Sequence, residues 1–241
     1  MGRNFENRKQ AILKRGAANN KAFTRATRQI TMAVKAGGGD PDANPTLRRA
    51  IQNANAVNMP KDRIKGAIER ALGVNDTESF EEALYEGYGP HGVAIIVDAA
   101  TDNATRTVAN VRNAFKKGGG NLGSEGSVSF MFDRRGVFRL KPEGLEREEL
   151  ELELIDHGLD EMLDGHGEDG SEQVLLRCEY EDFGSLQSAL EERKIEPVSS
   201  GFEWIPKTTT ELSEEQMDEV LKLIARLDDD DDVQAVFHNV D

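Results

Sequence analysis

From Lys21 to Ala36 the apolar positions recur at helical spacing. Phe23, Thr27, Ile30 and Val34 lie within about 60° of one another on a 3.6-residue wheel, widened by Ala26 and Ala33. Lys21, Arg25, Arg28 and Lys35 gather on the opposite side within about 80°. The pattern predicts a helix with one packing face and one positive face turned outward. Gly37, Gly38 and Gly39 stop it, because glycine accepts the left-handed backbone of a helix C-cap. Before it, Glu6 to Asn19 reads as a separate helix with Ala11 and Ile12 as a modest apolar face, and Asn19 or Asn20 caps the next. Asn44 followed by Pro45 starts a third helix, with Leu47, Ala50, Ile51, Ala54 and Val57 on its inner side. Pro60 opens a fourth, in which Ile64, Ala67, Ile68, Ala71 and Leu72 repeat the spacing until Gly73. About four short helices thus form a small bundle.

Beyond Gly73 the pattern changes. Asp76 to Glu86 reads as a connection, and Val93 to Val97 as a short buried strand. Thr101, Asp102 or Asn103 caps a helix carrying Thr107, Val108, Val111, Ala114 and Phe115, closed by Gly118, Gly119 and Gly120. Val128 to Phe132 reads as a strand, Asp133 to Gly136 as a turn, and Val137 to Leu140 as a further strand. Leu145 to Met162 keeps a helical period, with a loop marked by Gly165, Gly167 and Gly170. Val174–Cys178 then reads as strand, Asp182–Glu192 as helix and Val198–Ile205 as strand. Ser213 with Gln216 is a capping box for a helix whose inner stripe is Met217, Val220, Leu221, Ile224 and Leu227. Val233 to Phe237 is the last strand. The expected class is α+β: an N-terminal helical bundle followed by two small α/β sandwiches with helices packed on one sheet face.

Charge divides the chain in the same place. Residues 1–77 hold 15 Lys/Arg against 6 Asp/Glu, whereas the remainder holds 15 against 39, within an overall net charge of -15. The first 35 residues alone carry nine bases and one acid. Segregation of this kind concerns partners rather than fold. A basic bundle on an acidic protein suits a polyanion, which points to nucleic acid. The candidate phosphate contacts are Lys14, Arg15, Lys21, Arg25, Arg28 and Lys35, with Arg48, Arg49 and Lys61 as weaker members. The alternative is a solvated helix face. DNA and RNA remain undivided, since neither zinc-finger spacing nor an aromatic platform interleaved with the bases is visible. Attraction between the basic head and the acidic body would mask the basic surface in the free protein.

Candidate chemistry is sparse. A single cysteine, Cys178, excludes an internal disulfide and a cysteine zinc cluster, and favours a reducing cytoplasm. No apolar run reaches membrane-spanning length and no signal stretch precedes the first helix, so no membrane partner is expected. His91, His157, His166 and His238 lack metal-ligand spacing, and the acid run Asp228 to Asp232 lacks a calcium-loop pattern. It reads as an exposed turn before the last strand. Gly118 to Gly123 lacks the Gly-Lys-Ser/Thr ending of a nucleotide loop. No base stands beside a nucleophile, so neither enzyme, metal nor cofactor is expected.

Together these segments resemble the YebC family, whose bacterial members are described as probable transcriptional regulators and which includes a mitochondrial translational activator. The resemblance rests on Lys21-Ala22-Phe23-Thr24 with Arg28-Gln29-Ile30, Gly37 to Pro41, Asn44-Pro45 with Leu47-Arg48, and Asn58 to Asp62. It continues through Tyr85 to Pro90, Thr101-Asp102-Asn103 with Arg106-Thr107, Gly118 to Gly123, Gly126-Ser127-Val128, Leu212-Ser213 and the Asp228–Val233 region. It departs at the start, where typical members read Gly-His-Ser-Lys-Trp and this chain reads Gly2-Arg3-Asn4-Phe5-Glu6.

The resemblance implies three domains: a basic helical one over 1–76, a split α/β domain over 77–133 and 207–241, and an acidic α/β domain inserted over 134–206, both of ferredoxin-like type. It also implies work on nucleic acid without catalysis, through Lys21, Arg25 and Arg28. Tyr85, Tyr88, Asp102 and Arg106 become a second candidate surface beside their ordinary roles in packing and capping. A DNA-binding transcriptional regulator is the first expectation. A ribosome-associated factor that touches rRNA or tRNA and assists elongation through proline-rich stretches is the second, with the acidic body meeting basic proteins. A scaffold using its charge split for self-association is the third, although a monomer is expected.

Overall fold

The computed structural model describes residues 3–73, 79–167 and 170–240, and for residues 3–19 the backbone alone. The helical head contains three helices. Arg3–Gly37 is one continuous helix, α1, followed by α2 (Pro45–Ala56) and α3 (Lys61–Leu72). The predicted break at Asn19-Asn20 is corrected: two consecutive asparagines lower helix propensity without ending a helix, and the 3.6-residue period runs through them. Ala26, Ile30, Ala33 and Val34 of α1 are buried with Leu47, Ala50 and Ala54 of α2 and Ile64 and Ala67 of α3.

Asn44 ties the first two helices together. Its Oδ1 accepts the Leu47 N–H at 3.0 Å, capping α2, while its Nδ2 donates to the carbonyls of Ala33 and Gly38, both at 2.8 Å. Gly37 is needed for that contact, since a Cβ there would stand 2.8 Å from the Asn44 side chain. Asn44→Ala removes an N-cap and strands two carbonyls. It should cost about 2–3 kcal/mol in urea unfolding, where an ordinary exposed cap is worth about 1.

The remaining elements are β1 (Glu81–Tyr88), β2 (Ala94–Thr101), α4 (Ala104–Lys117), β3 (Asn121–Leu122), β4 (Phe132–Leu140), α5 (Arg147–Ile155) and β5 (Leu159–His166). They are followed by β6 (Glu172–Glu179), α6 (Phe183–Glu192), β7 (Ser199–Pro206), α7 (Glu214–Asp228) and β8 (Val233–His238). One sheet has the order β3-β1-β2-β8, the other β5-β6-β4-β7. In the second, every adjacent pair is antiparallel, and its elements run strand, helix, strand, strand, helix, strand. Phe138, Leu140, Val174, Leu176 and Cys178 on one face pack with Leu150 and Leu154 of α5 and Phe183, Leu186 and Leu190 of α6. Charged residues among the alternate positions are laced by ion pairs: Arg135 with Asp160 and Glu179, Arg139 with Glu203, and Arg177 with Glu161.

Several predicted boundaries are corrected here. The stretch that reads as a connection contains the interior strand β1, whose Glu86 is buried although charged. Of the predicted strand Val128 to Phe132 only Phe132 is in a strand, β4; Ser129–Met131 is a turn of 3-10 helix. Asp133–Gly136 lies inside β4, paired throughout with β7 and, from Arg135 on, with β6 as well. Gly136 marks close packing there rather than a turn, because a Cβ would meet Cys178 Sγ at 2.6 Å and the Phe183 ring at 2.7 Å. The helix from Leu145 to Met162 ends at Ile155, and Gly158 turns the chain at φ 90° into β5. On α7 the fully buried positions are Val220, Leu223 and Leu227, while Leu221 is exposed. Ser213 and Gln216 form the reciprocal capping box at 3.0 and 3.3 Å.

The chain divides into two compact units. The first holds residues 1–83, 98–110 and 228–235; the second holds 84–97, 111–227 and 236–241.

Candidate nucleic-acid interface

The first unit contains both the positive side of α1 and the acid run, and it brings them together. Lys21 Nζ lies 3.3 Å from Asp228 and 3.2 Å from Asp229. Arg25 reaches Asp228 Oδ1 at 2.7 Å and donates from Nε to the Val233 carbonyl at 2.8 Å. Arg28 donates to Asp232 Oδ1 at 2.8 Å and to the Ala100 carbonyl at 2.5 Å. The expectation that Lys21, Arg25 and Arg28 face outward is therefore corrected. Their side chains are only 19%, 23% and 12% exposed, and carboxylates of the same chain already neutralise them.

Asp232 is the hub. It is 2% exposed and takes hydrogen bonds from two guanidiniums and two hydroxyls: Arg28, Arg106 at 2.7 Å, Thr107 Oγ1 at 2.6 Å and Thr101 Oγ1 at 3.3 Å. Burial alone would raise its pKa, but the Thr107, Arg106 and Arg28 bonds overcome this and hold it below the usual carboxylate range. Asp228 is lowered in the same way, with burial opposed chiefly by Arg25 and then Lys21. Asp230 accepts from its own Asp232 N–H and from Asn110 Nδ2. The acid run is thus no solvated turn, because its first and last members are gripped by α1.

The other sequence candidates are dispersed. Lys35 and Lys61 are exposed, and Arg48 and Arg49 are half-buried, Arg48 donating to the Pro41 carbonyl at 2.8 Å. The side chains of Lys14 and Arg15 lie outside the described residues. Asp102 pairs with Arg106 at 2.7 Å instead of capping α4, a role filled by Asn103, whose Oδ1 accepts the Arg106 N–H. In the second unit Tyr88 donates to the Ser127 carbonyl at 3.1 Å, and Tyr85 is half-buried.

Sequence reasoning missed an aromatic and basic cleft in the first unit. Its walls include Phe23 of α1, Arg63 and Arg70 of α3, and Phe80 just before β1. Arg28 lies over the Phe80 ring at 5.0 Å and Arg63 over the Phe23 ring at 5.4 Å. In sequence Phe23 is visible only as a packing residue, and Phe80 stands in a stretch without periodicity. Neither carries a local signal of their meeting.

Among the described residues no group of three or more His, Cys, Asp or Glu could hold a metal ion, and no helix is long and apolar enough to cross a membrane. The Cys178 thiol is buried and pushed up to about 11, chiefly by burial and then by Asp182 and Glu179, so it is protonated at neutral pH. His91 bonds Glu219 at 2.9 Å within the second unit.

A basic helical head followed by two sheets, one of them a strand-helix-strand-strand-helix-strand unit, defines a modular α+β protein. Comparison with known proteins makes this definite. Residues 3–74 match the TACO1/YebC protein N-terminal domain, and residues 80–240 match the TACO1/YebC second and third domain. The chain belongs to the YebC/TACO1 family. It is 54% identical over 240 residues to a probable transcriptional regulatory protein of Anaeromyxobacter dehalogenans, covering 100% of both chains. It is 55% identical, with the same coverage, to one of Myxococcus xanthus. The crystal structure of a conserved hypothetical protein from Aquifex aeolicus is similar at a TM-score of 0.78 and 37% identity, covering 92% of this chain and 90% of that one.

Proposed function

We propose that this protein regulates gene expression by binding nucleic acid through its basic helical head, with transcriptional regulation on DNA as the first reading. The observation that carries it is charge: nine bases and one acid in the first 35 residues of a chain whose net charge is -15. The names of its relatives point the same way. The proposed phosphate contacts are Lys14, Arg15, Lys35, Arg48, Arg49 and Lys61. Lys21, Arg25 and Arg28 join them only when Asp228, Asp229 and Asp232 give way. A second reading, an RNA-binding translation factor, is favoured by the Phe23 and Phe80 cleft, since ring faces serve unpaired bases and not a closed duplex. The three-domain division and a ferredoxin-like second sheet, supported by its strand order, belong to this proposal.

Crosslinking nucleic acid to the protein in growing cells and sequencing what is recovered tests the reading. Lys35→Glu with Lys61→Glu should reduce the yield several-fold. Promoter DNA in the lost fraction supports transcription; rRNA or tRNA supports translation. An unchanged yield removes this surface. Reversing Lys21, Arg25 and Arg28 is the poorer test, because it also breaks the internal ion pairs.

A further inference from the structure

We infer that the cleft between α1, α3 and Phe80 is a binding site for one unpaired nucleotide of a single strand, with the base stacked and the phosphate held by Arg63 and Arg70. The inference rests on the reading that the head binds nucleic acid, and it adds where and in what form.

The cleft measures about 420 Å³, inside the span of roughly 300–1,000 Å³ common to ligand sites. Its walls supply the two things a nucleotide needs and an acidic peptide does not. Phe23 and Phe80 give flat apolar faces, and Arg28 and Arg63 lie across those rings, so an entering base meets either a ring or a guanidinium plane. Such stacking tolerates any base, because every base has a π face.

Positive charge is also present and in part uncommitted. Arg28 uses one terminal nitrogen for both Ala100 and Asp232. Arg70 donates from Nε to the Gly66 carbonyl at 3.1 Å, and neither it nor Arg63 has a carboxylate partner among the described residues. Two exposed guanidiniums beside aromatic rings, with no carboxylate partner among the described residues, match a phosphate next to a base. A duplex keeps its bases stacked on one another and cannot present a ring face here.

The test uses the full-length protein and eight-nucleotide RNA and DNA single strands carrying one 2-aminopurine, with the same sequences as blunt duplexes. Fluorescence anisotropy gives affinity, and 2-aminopurine emission reports stacking. Wild type should prefer the single strand and quench the probe. Phe80→Leu, which keeps apolar volume, should weaken single-strand binding about tenfold (about 1.4 kcal/mol) and restore emission, with duplex binding unchanged. Arg70→Gln, at an exposed position, should lower the salt slope by about 0.7 without altering thermal stability. Tighter binding of the RNA strand would assign the site to RNA, and equal binding to single strands in general.

Wild-type affinity in both variants, or equal displacement by poly-glutamate of matched charge, overturns the cleft while leaving the head as a polyanion binder. Absence of binding to any strand or duplex at low salt overturns the cleft and the functional reading together.

Discussion

Asp232→Ala is expected to destabilise the protein by about 3–5 kcal/mol, a large share of the roughly 5–15 that holds a domain folded. The carboxylate is 2% exposed and lies between Arg28 and Arg106, with Thr101 and Thr107 completing its shell. Removing it leaves the Arg28 guanidinium, 12% exposed, without its counter-ion. The loss also frees the turn before β8 from the start of α4. Asp232→Asn retains shape and one acceptor, so it should cost less than alanine but still more than 1 kcal/mol. Urea unfolding measures both, and an effect below 1 kcal/mol in the alanine variant would show that the hub is ornamental.

The same carboxylates make stability depend on pH. Asp228 and Asp232 have folded-state values below those of the unfolded chain, which titrates near pH 3.9. The unfolded state therefore takes up protons first as pH falls. Their contribution is complete above about pH 5 and drains away as pH drops through the unfolded value toward the lower folded values. Asp232→Ala should flatten that acid limb.

Glu86→Ala ranks second, at about 2–4 kcal/mol. Glu86 sits on the interior strand β1, 3% exposed, and accepts the N–H groups of Gly126, Val128 and Ser129 at 2.8, 2.7 and 2.8 Å. Burial works against its charge, but these bonds, Val128 foremost, hold its pKa below the ordinary range. Alanine strands three donors, of which Val128 N–H is buried. Gln can accept at one oxygen only, so Glu86→Gln should fall between wild type and alanine. Denaturant melts of the three proteins give the order, and a Gln variant as stable as wild type would remove the charge from the account.

These two residues also show what a sequence discloses and what it hides. The head is readable because period, caps and glycine stops agree: Ile30 and Val34, Asn44 with Pro45, and Gly73 each mark what the fold uses. Ser213 with Gln216 is equally plain. Glu86 is not, because a charged residue beside Gly87 in an acidic stretch looks like a linker, and only its three distant N–H partners make it a core residue. Asp133-Arg134-Arg135-Gly136 misleads for a similar reason. Polar residues and a glycine signal a turn locally, yet Arg135 is satisfied by Asp160 and Glu179 across the sheet, and Gly136 by the bulk of Phe183. Leu159 and Met162 read as a continuation of α5 because two apolar residues three apart suit a helix as well as an irregular strand.

The candidate site is half legible. Charge counting identifies the head and the wheel identifies its positive side. What covers that side is a matter of tertiary structure, and Asp228, Asp229 and Asp232 are about 200 positions away in sequence. The cleft is hidden for the same reason, since Phe80 meets Arg28 only after folding.

The most direct test of the central claim, that the basic head holds nucleic acid through its phosphates, is the salt dependence of binding by the intact protein. Affinity for a short oligonucleotide should fall linearly on logarithmic axes as salt rises. The slope should become shallower by about 0.7–0.9 for each phosphate that Lys35→Gln with Lys61→Gln leaves without its cation. Binding that is indifferent to salt, or a slope that the double variant leaves unchanged, would contradict it.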